Sequence, residues 1–274
     1  MTDQYAVIGH PIQHSKSPWI HTEFAKQCGE ALEYSLLESP IDGFESTVKQ
    51  FIRDGGKGLN VTMPFKQEAW NMADQLSEYA KLSGAVNTLT FNADGSIHGD
   101  NTDGPGLVYD LTENQQTSLE GKRILLLGAG GAVRGVIRPF LDQKPSHVHI
   151  VNRTASKAED LAQLFAQYGD ISGGGYDDLS EQGAFDVIVN GTASSITGDL
   201  PPIPKSVLAE NCHAYDMMYG AEPTVFERWC SENGAGSVSG GLGMLVEQAA
   251  VSFNIWRSKK PDTAPVLDAL MKSL

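Results

Sequence analysis

The stretch that most constrains this chain is an apolar strand that runs directly into a glycine turn and a helix. Residues 120–141 read EGKRILLLGAGGAVRGVIRPFL, and the turn GAGGAV occupies 128–133. Glycines here allow a tight strand-to-helix turn and let backbone N–H groups approach a pyrophosphate at the helix N-terminus. Val133 replaces the third glycine of the usual pattern, but the strand–turn–helix context still predicts dinucleotide binding. The cofactor contacts expected from this turn are Gly128, Ala129, Gly130, Gly131 and Ala132.

Around this turn, short apolar runs alternate with helix-length amphipathic segments along the chain. That alternation is typical of α/β proteins with parallel sheets. Residues 85–101 predict a hairpin that turns at Asp94-Gly95, and residues 68–84 read as largely helical. His147 and His149 flank one residue of a predicted strand, and we expect them to face solvent.

The composition changes near residue 104, and the βαβ rhythm then starts again. We therefore predict two domains. One is an α/β domain over residues 1–103, completed by C-terminal helices at 240–274, and the other is a Rossmann-type nucleotide-binding domain over 104–239.

Charge and composition exclude several classes of partner. The formal net charge of −14 argues against nucleic acid or an anionic membrane, because both would be repelled. No stretch reaches the roughly 18 apolar residues of a membrane span, and the N-terminus has no signal-peptide pattern. The 3 cysteines are widely spaced and fit reduced thiols, so we expect a cytoplasmic protein. No metal site is expected either, because Pro11 keeps His10 and His14 off one helical face and no acidic residue lies nearby.

An anionic ligand of such an acidic protein needs a local basic cluster, and one follows the second strand of the nucleotide-binding half. The segment IVNRTASK provides Asn152, Arg153, Thr154 and Lys157, and no carboxylate appears until Glu159. NAD-binding proteins usually place Asp or Glu here to hold the ribose 2′-OH. An Arg fork, a hydroxyl and a Lys would instead bind a 2′-phosphate, so the predicted cofactor is NADP.

Two polar loops in the first half are ambiguous when taken alone. Lys66 and Thr62 follow the predicted strand GLNVT, where a lysine is most often solvated at the start of a surface helix. Ser15 and Ser17 flank Lys16 before Pro18 starts a helix. Paired hydroxyls suit a carboxylate or polyol oxygen, but serine at a helix start is more often a cap.

Six motifs taken together make the sequence resemble the shikimate dehydrogenase family from end to end. In chain order they are HSKSP, NVTMPFK, GAVNTL, GDNTDGPG, GAGGAVRG and GLGMLVEQAA. The resemblance implies an oxidoreductase that reversibly reduces 3-dehydroshikimate to shikimate with NADPH in aromatic amino-acid biosynthesis. It also implies that the first domain binds substrate and carries catalysis, with the active site in the cleft between the domains.

The resemblance assigns a role to each matching residue. Lys66 would be catalytic, with Asp103 as its partner, and which of the two accepts the proton stays open. Ser15 and Ser17 would bind the substrate carboxylate. The other substrate contacts would come from Thr62, Lys66, Asn87, Asp103, Tyr219 and Gln248.

Further cofactor contacts follow from the same resemblance. Met217 and the backbone near Gly241 would meet the nicotinamide, and Glu78 would contact the cofactor across the cleft, whereas Asp216 would shape its own loop. Lys157 departs from the Arg of many members; it keeps the charge but loses the bidentate fork.

Two rival functions are compatible with the same fold. A quinate/shikimate dehydrogenase of broader substrate and cofactor range is one, although the NRTASK cluster argues against NAD. A non-catalytic NADP-binding protein is the other, but it would tolerate loss of Lys66 or Asp103, and both are present. A small-molecule substrate and a monomer or homodimer are expected.

Overall fold

The structure is a computed structural model that describes residues 2–194 and 198–273. The chain forms two compact units, the first made of residues 1–106 and 246–273 and the second of residues 107–245. The helix Asp103–Tyr109 begins in the first unit, and the helix Leu242–Arg257 begins in the second. None of the helices in the described part of the chain combines the length and apolar character needed to span a membrane.

The first unit is an α/β layer structure around a six-stranded sheet with the strand order β2-β1-β3-β5-β6-β4. Its strands are β1 Asp3–Gly9, β2 Leu32–Glu38, β3 Gly56–Val61, β4 Gln75–Leu76, β5 Thr88–Phe91 and β6 Ile97–Asp100. Its helices are α1 Ser17–Cys28, α2 Phe44–Arg53, α3 Lys66–Met72, α4 Glu78–Ser83 and α5 Asp103–Tyr109, with the later α9 Leu242–Arg257 and α10 Ala264–Met271. Strand β1 pairs in parallel with both β2 and β3, so the loops that follow β1 and β3 leave the same edge of the sheet.

Two predictions for this unit are confirmed, the second with a break that was not expected. The hairpin at 85–101 is confirmed, because β5 and β6 are antiparallel and Gly95 turns between them with φ +86°. Residues 68–84 are largely helical, as predicted, but they form the end of α3 and the whole of α4 with a break between them. Ala73 is extended, Gln75–Leu76 forms a short strand on β6, and the Ser77 side chain caps a new helix by accepting the N–H of Ala80. A serine cap inside an otherwise helical pattern is the local cause.

The second unit is a doubly wound sheet with the strand order β12-β11-β10-β7-β8-β9, and its neighbouring strands pair in parallel. Its strands are β7 Arg123–Leu127, β8 His147–Val151, β9 Ile171–Gly174, β10 Phe185–Asn190, β11 Leu208–Asp216 and β12 Ser237–Gly240. Its helices include α6 Gly131–Asp142, α7 Ala155–Phe165 and α8 Val225–Glu232. The chain runs outward from β7 to β9 and then returns to β10 beside β7. Such a reversal creates a crevice at the carboxyl ends of the two strands, where ligands bind.

Each unit has an apolar core beneath its sheet. Leu59, Phe65 and Val86 belong to the first core, and Leu127, Ile188 and Phe226 belong to the second; all six are at most 2% exposed. Because these residues come from strands and from the helices that cover them, the strand ends are held in fixed positions.

The prediction that His149 faces solvent is wrong. His149 is only 3% exposed; Ser172 Oγ lies 2.7 Å from its Nδ1, and the Phe185 ring stacks against it with a centroid distance of 6.1 Å. Burial lowers the pKa of His149 to about 4. Burial likewise lowers the pKa of His213 to about 4 and that of His21 to about 3.

Because these three histidines are buried, we expect the folded protein to lose stability in acid. Below pH 6.5 these histidines bind protons in the unfolded chain, whereas in the folded chain they bind protons only when the pH falls to about 4 or 3. Their contribution to stability is therefore complete above pH 6.5 and is lost as the pH falls, by up to about 1.4 kcal/mol per pH unit for each group. His21→Phe should make the free energy of unfolding fall less steeply with decreasing pH, by a slope that corresponds to about one proton. Urea unfolding at pH 4.5, 5.5 and 7.5 tests this, with exposed His14→Asn as control. If the free energy of unfolding of His21→Phe falls with decreasing pH as steeply as that of the unmodified protein, the prediction is contradicted.

Candidate active site and cofactor cleft

A lysine–aspartate pair occupies the starts of two helices in the first unit. Lys66 opens α3 and Asp103 opens α5, and Lys66 Nζ lies 2.5 Å from Asp103 Oδ2. Their side chains are 32% and 16% exposed, so the pair can still be reached by a ligand. Phe65, which is fully buried, anchors the turn before Lys66, and its N–H donates to Thr62 O at 3.0 Å. The buried anchor thus fixes an otherwise flexible lysine at the strand edge.

The second oxygen of Asp103 joins a buried amide network. Asn87 Nδ2 lies 2.8 Å from Asp103 Oδ1, 2.9 Å from Thr102 Oγ1 and 3.3 Å from Gln248 Oε1. Gly106 lets α9 approach, since a Cβ there would lie 2.5 Å from the Gln248 backbone nitrogen. The structure thereby brings together Lys66, Asn87, Asp103 and Gln248, four residues that the sequence placed in one site.

The loops after β1 and β3 meet at the same sheet edge. The His10 N–H donates to Met63 O at 3.1 Å, which joins the serine loop to the segment that carries Thr62. Ser17 is buried at the start of α1, and Ser15 Oγ donates to Ser17 Oγ at 3.2 Å. Ser15 Oγ also accepts the Ser17 N–H at 3.3 Å, so the local turn role of this serine is present.

The second unit contains a cleft of about 550 Å³ at the crevice between β7 and β10. Its lining includes five residues predicted from the sequence, namely Gly128, Ala129, Gly130, Asn152 and Arg153. The rest of the lining was missed, and it consists of Tyr176, Gly191, Thr192, Ala193, Ser194, Asp199, Leu200, Pro201 and Pro202. The signal that could have found the part after residue 190 is the end of the apolar run DVIVN at 186–190, had its position beside β7 been known.

The glycine turn leaves its backbone open to a ligand. Gly128 adopts φ +107°, a conformation that favours glycine, and its N–H donates to Val151 O at 2.7 Å. Gly130 is the N-cap of α6, which starts with Gly131 and Ala132, both exposed. A Cβ added at Gly130 would meet no heavy atom within 4 Å among the described residues. Peptide N–H groups at the start of a 12-residue helix with room in front of them suit a pyrophosphate.

The basic cluster lies where the cleft meets α7. Arg153, Thr154 and Lys157 are exposed, and Thr154 is the N-cap of α7 without a capping side-chain hydrogen bond. Within residues 2–194 and 198–273, no hydrogen bond or ion pair of the Arg153 guanidinium is present. Asn152 Nδ2 donates to Thr154 O at 2.9 Å and so shapes the turn. These groups fit a phosphate at the adenosine end of a dinucleotide.

The remaining predicted residues divide between the units. Met217 follows β11, and a Cβ at Gly191 would lie 3.0 Å from its Sδ, while a Cβ at Gly241 would lie 2.3 Å from its carbonyl oxygen. Tyr219 in the second unit is 37% exposed. Glu78 is the first residue of α4 and belongs to the first unit, whereas the cleft residues belong to the second.

Asp216 is fully buried and organises the loop after β11. Its oxygens accept hydrogen bonds from Thr224 Oγ1 at 2.7 Å and from the Met218 N–H at 3.0 Å. These contacts agree with the loop-shaping role expected from the sequence. Among the described residues, no group of three or more His, Cys, Asp and Glu side chains is placed to hold a metal ion.

The second unit is a doubly wound sheet with a glycine turn and a basic cluster that fits a phosphate. The chain also carries a lysine–carboxylate pair that a ligand can reach. Together these features define a dinucleotide-dependent oxidoreductase. Comparison with known families narrows this class. Residues 7–89 match the "Shikimate dehydrogenase substrate binding domain", residues 110–197 match "Shikimate / quinate 5-dehydrogenase", and residues 241–271 match the "Shikimate 5'-dehydrogenase C-terminal domain".

Individual relatives agree over the full chain. Shikimate dehydrogenase (NADP(+)) of Hahella chejuensis is 54% identical over 268 residues, 98% of either chain. An Ael1 enzyme from Pseudomonas putida superposes with a TM-score of 0.93 at 47% identity, covering 98% of both chains. Shikimate 5-dehydrogenase from Thermus thermophilus in complex with NADP(H) and shikimate superposes with a TM-score of 0.86 at 30% identity, covering 100% of both. The chain belongs to the shikimate dehydrogenase family, as its motifs predicted.

Proposed function

We propose that this chain catalyses the reversible, NADPH-dependent reduction of 3-dehydroshikimate to shikimate, a step of aromatic amino-acid biosynthesis. The observation that carries the proposal is the contact of Lys66 with Asp103, extended through Asn87 to Gln248, in a member of this family. An ammonium, a carboxylate and two amides form a site that matches a ring with several hydroxyl groups.

The chemistry needs a proton at the oxygen that becomes the new hydroxyl. When bound, NADPH supplies the hydride. Lys66, as an ammonium, donates a proton to the developing alkoxide, and Asp103 orients that ammonium through its 2.5 Å contact. In the oxidative direction the pair takes the proton back. Asn87, Gln248 and Thr62 bind the ring hydroxyls and hold the reacting carbon in place.

The two parts of the chain have different functions. We assign substrate binding and catalysis to residues 1–103 with 240–274, and cofactor binding to residues 104–239. The substrate carboxylate is bound by Ser15 and Ser17, with Tyr219 as a further contact. The pyrophosphate is bound by residues 128–132.

NADP, rather than NAD, fits the chemistry of the donor set. Arg153, Thr154 and Lys157 bind the 2′-phosphate, with Asn152 shaping their turn. Met217 and Gly241 contact the nicotinamide, and Glu78 is a further cofactor contact. We further propose that the chain works in the cytoplasm as a monomer or homodimer. Its net charge of −14 supports the absence of a nucleic-acid partner.

A crossed assay tests the proposed function. Purified protein is offered shikimate or quinate, each with NADP or NAD, and reduced cofactor is followed by its absorbance. We expect turnover with shikimate and NADP to exceed that of the other three combinations. Comparable turnover of quinate or use of NAD would favour the broader quinate/shikimate activity, and no turnover in any arm would overturn the proposal.

The serine pair gives a separate prediction. Ser15→Ala and Ser17→Ala should each weaken shikimate affinity by about ten-fold, because each removes a hydroxyl donor to a carboxylate. Affinity for a shikimate analogue without the carboxylate should change far less. Ser46→Ala, which removes an exposed serine hydroxyl on α2, serves as the control. An equal loss on both ligands would mean that the serines only shape the turn before α1.

A further inference from the structure

A short segment of the first unit is hydrogen-bonded to the backbone of Lys66, the first member of the proposed catalytic pair. This segment, residues 83–87, begins at the end of α4 and leads into β5. The Val86 N–H donates to Lys66 O at 2.9 Å, which attaches the start of α3 to the segment. Val86 is fully buried and belongs to the apolar core of this unit, so the backbone of Lys66 is anchored on the core.

Asn101 attaches the backbone of Asp103, the second member of the pair, to the same segment. It lies two residues before Asp103, and its Oδ1 accepts the Asp103 N–H at 3.2 Å. Its Nδ2 donates to Ser83 Oγ at 3.1 Å and to Ala85 O at 3.2 Å. Asn101 is 3% exposed and Ser83 is 4% exposed, so bulk water does not replace these partners.

The partners of Asn101 allow only one orientation of its side-chain amide. Ala85 O can only accept a hydrogen bond, and the Asp103 N–H can only donate one. A reversed amide would place its oxygen against the Ala85 oxygen and its NH₂ group against the Asp103 N–H. The observed orientation uses the oxygen and the nitrogen of the amide inside the protein, and a buried polar group with all its partners in place is rigid.

Other groups hold the side chain of Asp103, so Asn101 acts on its backbone. The two carboxylate oxygens contact Lys66 Nζ and Asn87 Nδ2, as described above, and among the described residues Asn101 makes no hydrogen bond to either of those groups. An aspartate side chain is short, so the position of its backbone decides where its oxygens can lie. A shift of the start of α5 would therefore change the distance between the carboxylate and the ammonium.

We propose that Asn101 is a positioning residue of the Lys66–Asp103 pair: it ties the start of α5 to the segment that also holds the start of α3, and so sets the distance between the ammonium and the carboxylate. The inference rests on the proposed function, which assigns proton transfer to this pair. It gives a role to the buried asparagine of the motif GDNTDGPG, which received none from the sequence.

Asn101→Ala tests the inference. We expect kcat for shikimate oxidation to fall about ten-fold, because a small misplacement of a reacting group slows the chemical step. The KM for shikimate should rise less than about three-fold, and the KM for NADP should not change, since the binding side chains remain. Asn101→Ser keeps an oxygen for the Asp103 N–H and should lose only about three-fold in kcat. Asn92→Ala is the control, because Asn92 is an exposed asparagine of the β5–β6 turn.

A double variant separates positioning from general destabilisation. If Asn101 acts through the pair, Lys66→Ala combined with Asn101→Ala should transfer hydride no more than about two-fold more slowly than Lys66→Ala alone. Single-turnover measurements give these rates. Thermal unfolding of every variant checks the fold, and Asn101→Ser carries the same test if Asn101→Ala does not fold.

Chemical modification of Lys66 gives a readout that does not depend on activity. Trinitrobenzenesulfonate modifies lysine amines, and a lysine that is engaged with a carboxylate is less available to it. In Asn101→Ala the modification of Lys66, followed by mass spectrometry, should be about three-fold faster, as for the loosening of one hydrogen bond. The modification of Lys49, which pairs with Glu45 on α2, should not change.

The inference is overturned by an unchanged kcat in Asn101→Ala, by an equal fall of kcat in Asn92→Ala, or by an unchanged modification rate of Lys66. It is also overturned if Asn101→Ala slows hydride transfer as much in the Lys66→Ala background as in the unmodified protein. If the unmodified protein does not oxidise shikimate with NADP but Lys66 is modified faster in Asn101→Ala, the proposed function fails and the positioning role of Asn101 stands.

Discussion

Lys66→Ala is expected to slow hydride transfer by about a hundred-fold or more, the usual scale for losing a positioned acid or base. The reason is the 2.5 Å contact of Lys66 Nζ with Asp103 Oδ2, because it orients the ammonium group of Lys66. Among the described residues this is the only ammonium group in the network. Shikimate binding should weaken much less, because in the proposed site most contacts to the ring hydroxyls come from other side chains. Single-turnover measurements of reduced cofactor separate this step from product release.

Asp103→Ala extends the same prediction. It should reduce both binding and turnover, because in the proposed site Asp103 would contact the ring as well as Lys66, and the double variant should be little slower than the worse single one. Lys49→Ala is the control for charge removal, since Lys49 is an exposed lysine whose partner is Glu45 on the same helix. Near-normal hydride transfer in Lys66→Ala would mean that this lysine is a solvated bystander and that the mechanism is wrong.

The parts of the fold that the sequence predicts well are those set by neighbouring residues. The glycine turn after β7 and the hairpin at Asp94-Gly95 each have their signal within a few positions, and both are present. The helix break at 73–77 has a local signal too, the cap residue Ser77, but an amphipathic pattern continues across it. Burial of His149 has no local signal, because it depends on contacts with Ser172 on β9 and Phe185 on β10, which are distant in the sequence.

In the candidate site, too, the features with a local sequence signal could be predicted and those that depend on distant residues could not. The basic cluster at 152–157 follows from one strand end and the rules for anion binding. The contact of Asn87 with Gln248 spans 161 positions, and no periodicity or spacing indicates it; only the family motifs brought the two together. The segment after β10 lines the cleft because β10 lies beside β7, and Tyr176 lines it because β9 lies beside β8; the sequence does not state this strand order.

Cofactor choice rests on a small number of exposed groups, which makes it easy to alter. Thr154 leaves the start of α7 uncapped by a side chain, and Arg153 lines the cleft beside it. A phosphate at this point gains the positive end of an 11-residue helix together with two cationic side chains. A ribose with a plain 2′-hydroxyl gains almost none of this attraction, and a carboxylate that would bind such a hydroxyl is absent from residues 152–157.

Arg153→Ala should therefore lower the preference for NADP over NAD by about a hundred-fold, because two charge-assisted hydrogen bonds to phosphate are lost. The effect should fall on the KM for NADP and leave the KM for NAD nearly unchanged. Lys157→Arg should act in the opposite direction by about three-fold, since it adds a planar fork at the same helix start. Arg228→Ala, which removes an exposed arginine on α8 of the same unit, is the control. All four proteins are compared by kcat/KM with each cofactor at saturating shikimate. An equal loss with both cofactors in Arg153→Ala would mean that the guanidinium binds the adenosine or the pyrophosphate, and the 2′-phosphate assignment would be wrong.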